Sequence, residues 1–224
     1  MRSVDDETLF DPHAEVRAER ASKHALCIHV RKPRANAHNP PYIHLMTSSG
    51  FTLFDTAIGR CAIAWRESGI VGVQFPESSG EKSRARLARR FPDLAETAPP
   101  AEIDAVIGQV RALLAGEHVD LSGADLDMST VQPFEARVYA IARTIPPGQA
   151  MTYGEIAERL GDKLLARDVG QAMGRNPFPI IMPCHRVLAA GGKLGGFSAP
   201  GGTSTKQKLL AIEGYAPGGQ PSLF

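Results

Sequence analysis

The sequence predicts a mixed α/β chain of the α+β kind. A small N-terminal domain built on a β-meander precedes a mostly helical C-terminal domain with a helix-turn-helix. Three observations predict this. Residues 51–75 form short alternating runs broken by turn signals at Gly59 and Gly69. Residues 101–115 place Ile103, Val106, Ile107, Val110, Leu113 and Leu114 on one helical face. Residues 152–174 hold two short helical segments joined by a tight Gly161-Asp162-Lys163 turn.

In chain order, residues 1–45 show neither period and end in the breaker cluster NAHNPPY. Five of the seven histidines lie there, and Cys27, His29 and His24 match no common zinc spacing, so the segment reads as a disordered extension. Met46 opens MTSSGFTLFDTAIG and is a candidate start. The meander follows as FTLFDT, CAIAW and IVGVQF. EKSRARLARRF is a basic helix ahead of Pro92, and the 101–115 helix stops at Gly116. LDMST, residues 126–130, is a candidate further strand. Pro133 introduces the helix FEARVYAIARTI, which PPGQ ends. Thr152 with Glu155 three residues on is a capping box for TYGEIAERLG. LLARDVGQAM, residues 164–173, makes the second short helix, and KQKLLAIE, residues 206–213, the last one. The expected divisions are 1–45, 46–130, 131–217 and a tail, 218–224.

The totals narrow the function classes. At 43% hydrophobic and 22% charged the chain reads as soluble and globular. It has no apolar run of about 18 residues, so no membrane helix is expected. The N-terminus is too charged for a signal peptide. Three widely spaced cysteines, Cys27, Cys61 and Cys184, make no disulfide framework and point to a reducing, cytoplasmic setting. Net charge is +1 overall, but residues 46–130 carry −4 and residues 131–224 carry +4. That asymmetry fits either ordinary surface variation or a C-terminal domain facing a polyanion.

The informative stretch is FPIIMPCHRV, residues 178–187. Cys184 follows an apolar run and Pro183, and precedes His185 and Arg186. It could be a buried small hydrophobe, a metal ligand or a nucleophile. A metal site needs further ligands that PCH alone does not supply. A nucleophile works as the thiolate and needs a base or positive surroundings, which His185 could provide through one water. Cys61 lies in a predicted strand and reads as core.

PCHRV, the helix-turn-helix before it and GGKLGGFS after it resemble the O6-alkylguanine-DNA alkyltransferases, the methylated-DNA–protein-cysteine methyltransferase family. The likeness runs from about residue 50 to 215 and includes FTLFDTAIGRCAIAW, TYGEIA, RDVGQAMGRNP and KLLAIEG. It implies a ribonuclease H-like fold for the N-terminal domain. It implies DNA repair by stoichiometric transfer of a methyl or alkyl group from guanine O6, and from thymine O4, to Cys184. No cofactor or metal is expected, since the Cys/His set that binds zinc in some members is not recognisable.

Under the resemblance, His185 takes the thiol proton through water, Glu213 orients His185, and Asn176 braces the turn before the cysteine. Tyr153 donates to the departing base at N3, and Ser198 offers a backbone N–H to O6. The carbonyls of Cys184 and Val187 accept from the exocyclic amine, and Pro179 and Phe197 wall the pocket. Phe197 stands where many members have a tyrosine. The expected partner is double-stranded DNA, bound by a monomer through its minor groove with the alkylguanine flipped out. Arg167 would fill the vacated stack, the small residues Ala166, Gly170 and Ala172 would let the second helix approach the sugar-phosphate walls, and Tyr153 is a further expected DNA-binding residue. The alternatives are a lesion-sensing DNA-binding protein without efficient transfer, and a cysteine hydrolase, for which no oxyanion-hole motif is visible.

Overall fold

The computed structural model describes residues 48–215. The expectations for residues 1–45, for Met46 as a start, for a site around Cys27 and His29, and for the tail 218–224 lie outside the described residues. The meander forms as read: β1 (Gly50–Thr56), β2 (Gly59–Arg66) and β3 (Gly69–Gln74) make an antiparallel sheet in the order β1-β2-β3. Gly59 and Gly69 turn the chain at φ +119° and +123°, a region open to glycine.

β2 runs through both faces of the core, so residues 61–65 are buried without a break. Cys61, Ile63 and Trp65 face one side, where Ile103, Ile107, Val110 and Leu114 of α2 (Ala101–Leu114) pack. Ala62 and Ala64 face the other, against Leu87 of α1 (Gly80–Arg90) together with Phe51 and Leu94. The two alanines leave room for that helix. Gly72 on β3 serves the same end: a β-carbon there would stand 2.9 Å from the Phe91 ring.

Residues 126–130 are not a strand. Leu126 makes only an isolated bridge to Ile70, with Ile70 N–H donating to Asp125 and Asp127 N–H donating back to Ile70. The Asp127 carboxylate then accepts from Ser129 N–H and the Ser68 hydroxyl, which bends the chain away. Side-chain bonding to the local backbone outcompetes the ladder here.

The second half is helical. Pro133 is the first residue of α3 (Pro133–Ala142), where its missing N–H costs nothing. α4 (Tyr153–Arg159) carries the capping box: Thr152 Oγ1 accepts from Glu155 N–H at 3.1 Å, and Glu155 accepts from Thr152 N–H at 2.5 Å. Thr152→Ala is expected to lower stability by about 1 kcal/mol in a denaturant melt. A loss within error would mean that packing alone sets the start of α4. After Gly161, a 3-10 turn at Lys163–Leu165 leads into α5 (Ala166–Gly174), so the second helix starts later than its sequence pattern. Ile156, Ala157, Val169 and Ala172 bury the inner faces of this pair. The Tyr139 hydroxyl donates to the Ala172 carbonyl at 2.8 Å and fixes α5 to α3.

β4 (Met151–Thr152) and β5 (Val187–Leu188) pair in parallel, which brings the start of α4 beside the end of the Cys184 segment. α6 (Thr203–Ile212) begins three residues before the apolar pattern. The described residues form one compact unit. Its principal core runs from the sheet and α2 through α3–α5 to Cys184. No helix among them is long and apolar enough to cross a membrane.

Candidate active site

Residues 176–187 make a tight, buried turn. Ile180 sits at φ +76°, a left-handed conformation unusual for a β-branched residue. Asn176 clamps both ends of the turn. Its Oδ1 accepts from Phe178 N–H and its Nδ2 donates to the Met182 carbonyl, each at 2.9 Å. The chain then enters the single 3-10 turn Cys184–Arg186. The apolar run is therefore a turn rather than a strand, and it sets Cys184 in the wall of a cavity.

Cys184 is 8% exposed and His185 is fully buried. His185 Nε2 lies 2.8 Å from Glu213 Oε1. Arg186 grips the same carboxylate with two bonds, Nε to Oε2 at 2.9 Å and Nη2 to Oε1 at 2.8 Å, and donates from Nη1 to the Ile145 carbonyl. Burial acts to raise the Glu213 pKa, but the hydrogen bonds from His185 and Arg186 outweigh it and hold it at about 2. An ionised Glu213 can only accept, so Nε2 carries the histidine proton. That leaves Nδ1 as a lone pair, and Nδ1 is buried with no protein partner. Burial first, then the charges of Arg186 and Lys206, lower the His185 pKa against the pull of Glu213. The resting histidine is neutral.

Burial raises the Cys184 pKa. Hydrogen bonding from Asn176, the charge of Lys206 and the N–H groups of Cys184 and His185 act to lower it. The resting group is a thiol with thiolate-stabilising donors already around it.

The cavity over Cys184 encloses about 450 Å³ and is lined by Tyr153, Gly170, Met173, Phe197 and Ser198. Tyr153 is on the first turn of α4 and Gly170 on α5. A β-carbon on Gly170 would stand 3.9 Å from the Tyr153 ring. The Ser198 hydroxyl donates to the Gly174 carbonyl at 3.2 Å, tying the loop after β5 to the end of α5. Pro179 lines an adjoining cavity that also reaches Cys184. Cys184, His185, Glu213, Asn176, Tyr153, Val187, Phe197, Ser198 and Pro179 therefore gather around one centre. Arg167 and Ala166 lie apart from it, at the N-terminus of α5, with Arg167 exposed and Ala166 half-buried.

Arg186, expected from the sequence as a structural partner without an assigned contact, proves to be the buried partner of Glu213. One contribution escaped the sequence reading. Lys206 on α6 is fully buried and donates from Nζ to the carbonyls of Val187 and Leu194, each at 2.6 Å. It stands 5.7 Å from the Tyr153 ring centroid and 5.9 Å from that of Phe197. Burial lowers its pKa to about 8. The Val187 carbonyl thus already serves Lys206 and keeps one lone pair for another donor. The signal was present in the sequence: Lys206 is three residues before the buried Leu209 and four before Leu210, at the spacing of the inward face.

The fold and the site define a class: a helix-turn-helix protein with a buried cysteine beside a glutamate-oriented histidine. Residues 133–215 match the family model described as 6-O-methylguanine DNA methyltransferase, DNA binding domain. A methylated-DNA–protein-cysteine methyltransferase of Mycolicibacterium paratuberculosis is 36% identical over 159 residues, covering 71% of this chain and 88% of the relative. One from Methanothermobacter thermautotrophicus is 31% identical over 158 residues, covering 70% and 81%. A crystal structure of Mycobacterium tuberculosis OGT in complex with DNA superposes with a TM-score of 0.59 at 33% identity, covering 73% of this chain and 92% of that one. The O6-methylguanine-DNA methyltransferase of Pyrococcus kodakaraensis superposes with a TM-score of 0.56 at 27% identity, covering 73% and 99%. The chain belongs to the methylated-DNA–protein-cysteine methyltransferase family.

Proposed function

We propose that the protein repairs DNA by moving a methyl or alkyl group from guanine O6, and from thymine O4, onto Cys184 in a single irreversible turnover. The observation that carries this reading is the free Nδ1 lone pair of His185, set by an ionised Glu213 on Nε2. That arrangement suits abstraction of the Cys184 proton through one water. The thiolate forms a bond to the alkyl carbon while the carbon–O6 bond breaks, and the electron pair stays on the base. The thioether is a poor leaving group, so each molecule acts once.

Tyr153 donates a proton to the base at N3, the Ser198 N–H faces O6, and the second lone pair of the Val187 carbonyl takes the exocyclic amine. Pro179 and Phe197 wall the alkyl group. The target atom lies inside the duplex, so the nucleotide is flipped into the cavity. The exposed Arg167 fills the gap, and the small residues Ala166 and Gly170 let α5 enter the minor groove. The protein acts as a cytoplasmic monomer, with residues 131–217 carrying the chemistry and residues 46–130 supporting them.

The test is to mix the protein with a duplex containing O6-methylguanine and map the methyl group by peptide mass spectrometry. One methyl per protein on the Cys184 peptide, absent in Cys184→Ala, is the expected result. Lesion binding without transfer would leave a sensor, and continuous turnover would rule out the single-use mechanism. Arg167→Ala is expected to slow repair of duplex DNA at least tenfold while reaction with free O6-benzylguanine stays near wild type. Equal losses on both substrates would remove Arg167 from flipping.

A further inference from the structure

The turn between α4 and α5 carries a side chain that the packing of the fold does not use. Leu164 is 86% exposed, the one large hydrophobic residue that stands out in solvent among the described residues. Its neighbour Leu165 packs against the principal core together with Ala166, so the two leucines divide, one inward and one outward. The outward position is built rather than loose. Asp162 Oδ1 accepts from Leu164 N–H at 2.8 Å, and the Asp162 carbonyl accepts from Leu165 N–H at 3.1 Å. The adjacent Lys163 is turned to Glu158 at 3.1 Å. From Lys163 the chain is right-handed helical through the 3-10 turn into α5. Leu164 and Arg167, three residues apart, therefore project on one side.

The charge around Leu164 is balanced. Residues 158–168 set Arg159, Lys163 and Arg167 against Glu158, Asp162 and Asp168. This corner of the helix pair therefore gains little, as a whole, from the charge of a phosphate backbone. What it presents beside Arg167 is an aliphatic side chain on a fixed turn. Such a residue suits the C–H faces of deoxyribose along a minor groove, where apolar side chains wedge against the base steps. We infer that Leu164 is a DNA-contacting residue that packs against the deoxyribose wall of the minor groove beside the flipped nucleotide. The inference rests on the reading of the protein as a duplex-binding alkyltransferase and adds to it a contact made without charge. In the free protein the Leu164 side chain is in water. In the complex it leaves water, and binding gains from that transfer at any salt concentration.

The test uses the full chain, a duplex carrying O6-methylguanine, and free O6-benzylguanine. Leu164→Ala is expected to weaken duplex binding and slow duplex repair about tenfold, the size of losing much of a buried leucine side chain. Leu164→Met, which keeps the apolar reach, should stay within about twofold of wild type. Both variants should keep the wild-type melting temperature and the wild-type rate with free O6-benzylguanine. The loss in Leu164→Ala should be the same at low and high salt, because no phosphate contact is removed. Unchanged duplex affinity in Leu164→Ala would overturn the inference. So would a loss that fades as salt rises, since the variant would then have disturbed a phosphate contact. A change of oligomeric state with duplex affinity intact would also overturn it and give the side chain to a second copy of the chain. Absence of methyl transfer to Cys184 in the wild type would instead overturn the alkyl-transfer reading, while the duplex affinities still judge Leu164.

Discussion

Glu213→Ala is expected to destabilise the protein by about 3–5 kcal/mol, because it strands the buried Arg186 charge without its partner. For a chain of this size that corresponds to a fall in melting temperature of roughly 6–20 °C. The carboxylate is 5% exposed and accepts three hydrogen bonds, one from His185 and two from Arg186. The double variant Glu213→Leu with Arg186→Met should recover part of the loss, since it removes both charges together. A single-variant loss below about 1 kcal/mol would mean that the pair adds little. The pH dependence has a definite sign. The folded Glu213 pKa, about 2, is below its ordinary 4.5, so the contribution is full above 4.5 and is lost as pH falls toward 2. His185, depressed below 6.5, also favours the folded state above 6.5 and withdraws that support on acidification. Urea melts between pH 7 and pH 3 read both.

His185→Ala is expected to slow alkyl transfer to Cys184 by about 10²–10⁴-fold, the range for loss of a positioned base. The wild-type rate should have an acid limb below pH 6.5, because burial lowers the His185 pKa and only the neutral ring can take the proton. The variant should lack that limb. Its residual reaction should rise with pH as the thiol ionises unaided, at a pKa that burial has raised. Single-turnover rates with labelled duplex across pH 5–9 separate the cases. An unchanged acid limb in His185→Ala would assign proton removal to another group.

Much of this architecture was legible in the sequence because local signals agreed with the global fold. Gly59 and Gly69 mark turns that only glycine makes easily, and Thr152 with Glu155 states the start of a helix outright. The α2 face was correct because its six apolar residues share one period. LDMST was misread because Asp127 and Ser129 bond their own neighbourhood, a preference that alternation does not reveal. The site divides in the same way. Cys184 and His185 are adjacent in the chain, but Glu213 is 28 residues from His185, and only the resemblance joined them. Arg186 was legible as a structural partner but not its contact, and Lys206 was missed, because a charged residue in sequence looks solvated until its buried partner is known. The basic helix that carries Arg86 and Arg90 was legible, but its approach to residue 177 was not: it follows from the end of β3, where the Val73 N–H donates to the Pro177 carbonyl at 3.0 Å.

The left-handed Ile180 has a consequence for what PCHR means. A β-branched residue in that conformation costs on the order of 1–3 kcal/mol, so the turn is not the shape that its own residues prefer. Asn176, together with the burial of Phe178, Ile180 and Met182, holds it there. A free peptide of residues 176–187 would relax to other conformations, and its cysteine would behave like any thiol in water. The reactivity of Cys184 therefore belongs to the whole folded domain, and the same four letters carried by an unrelated chain would promise nothing.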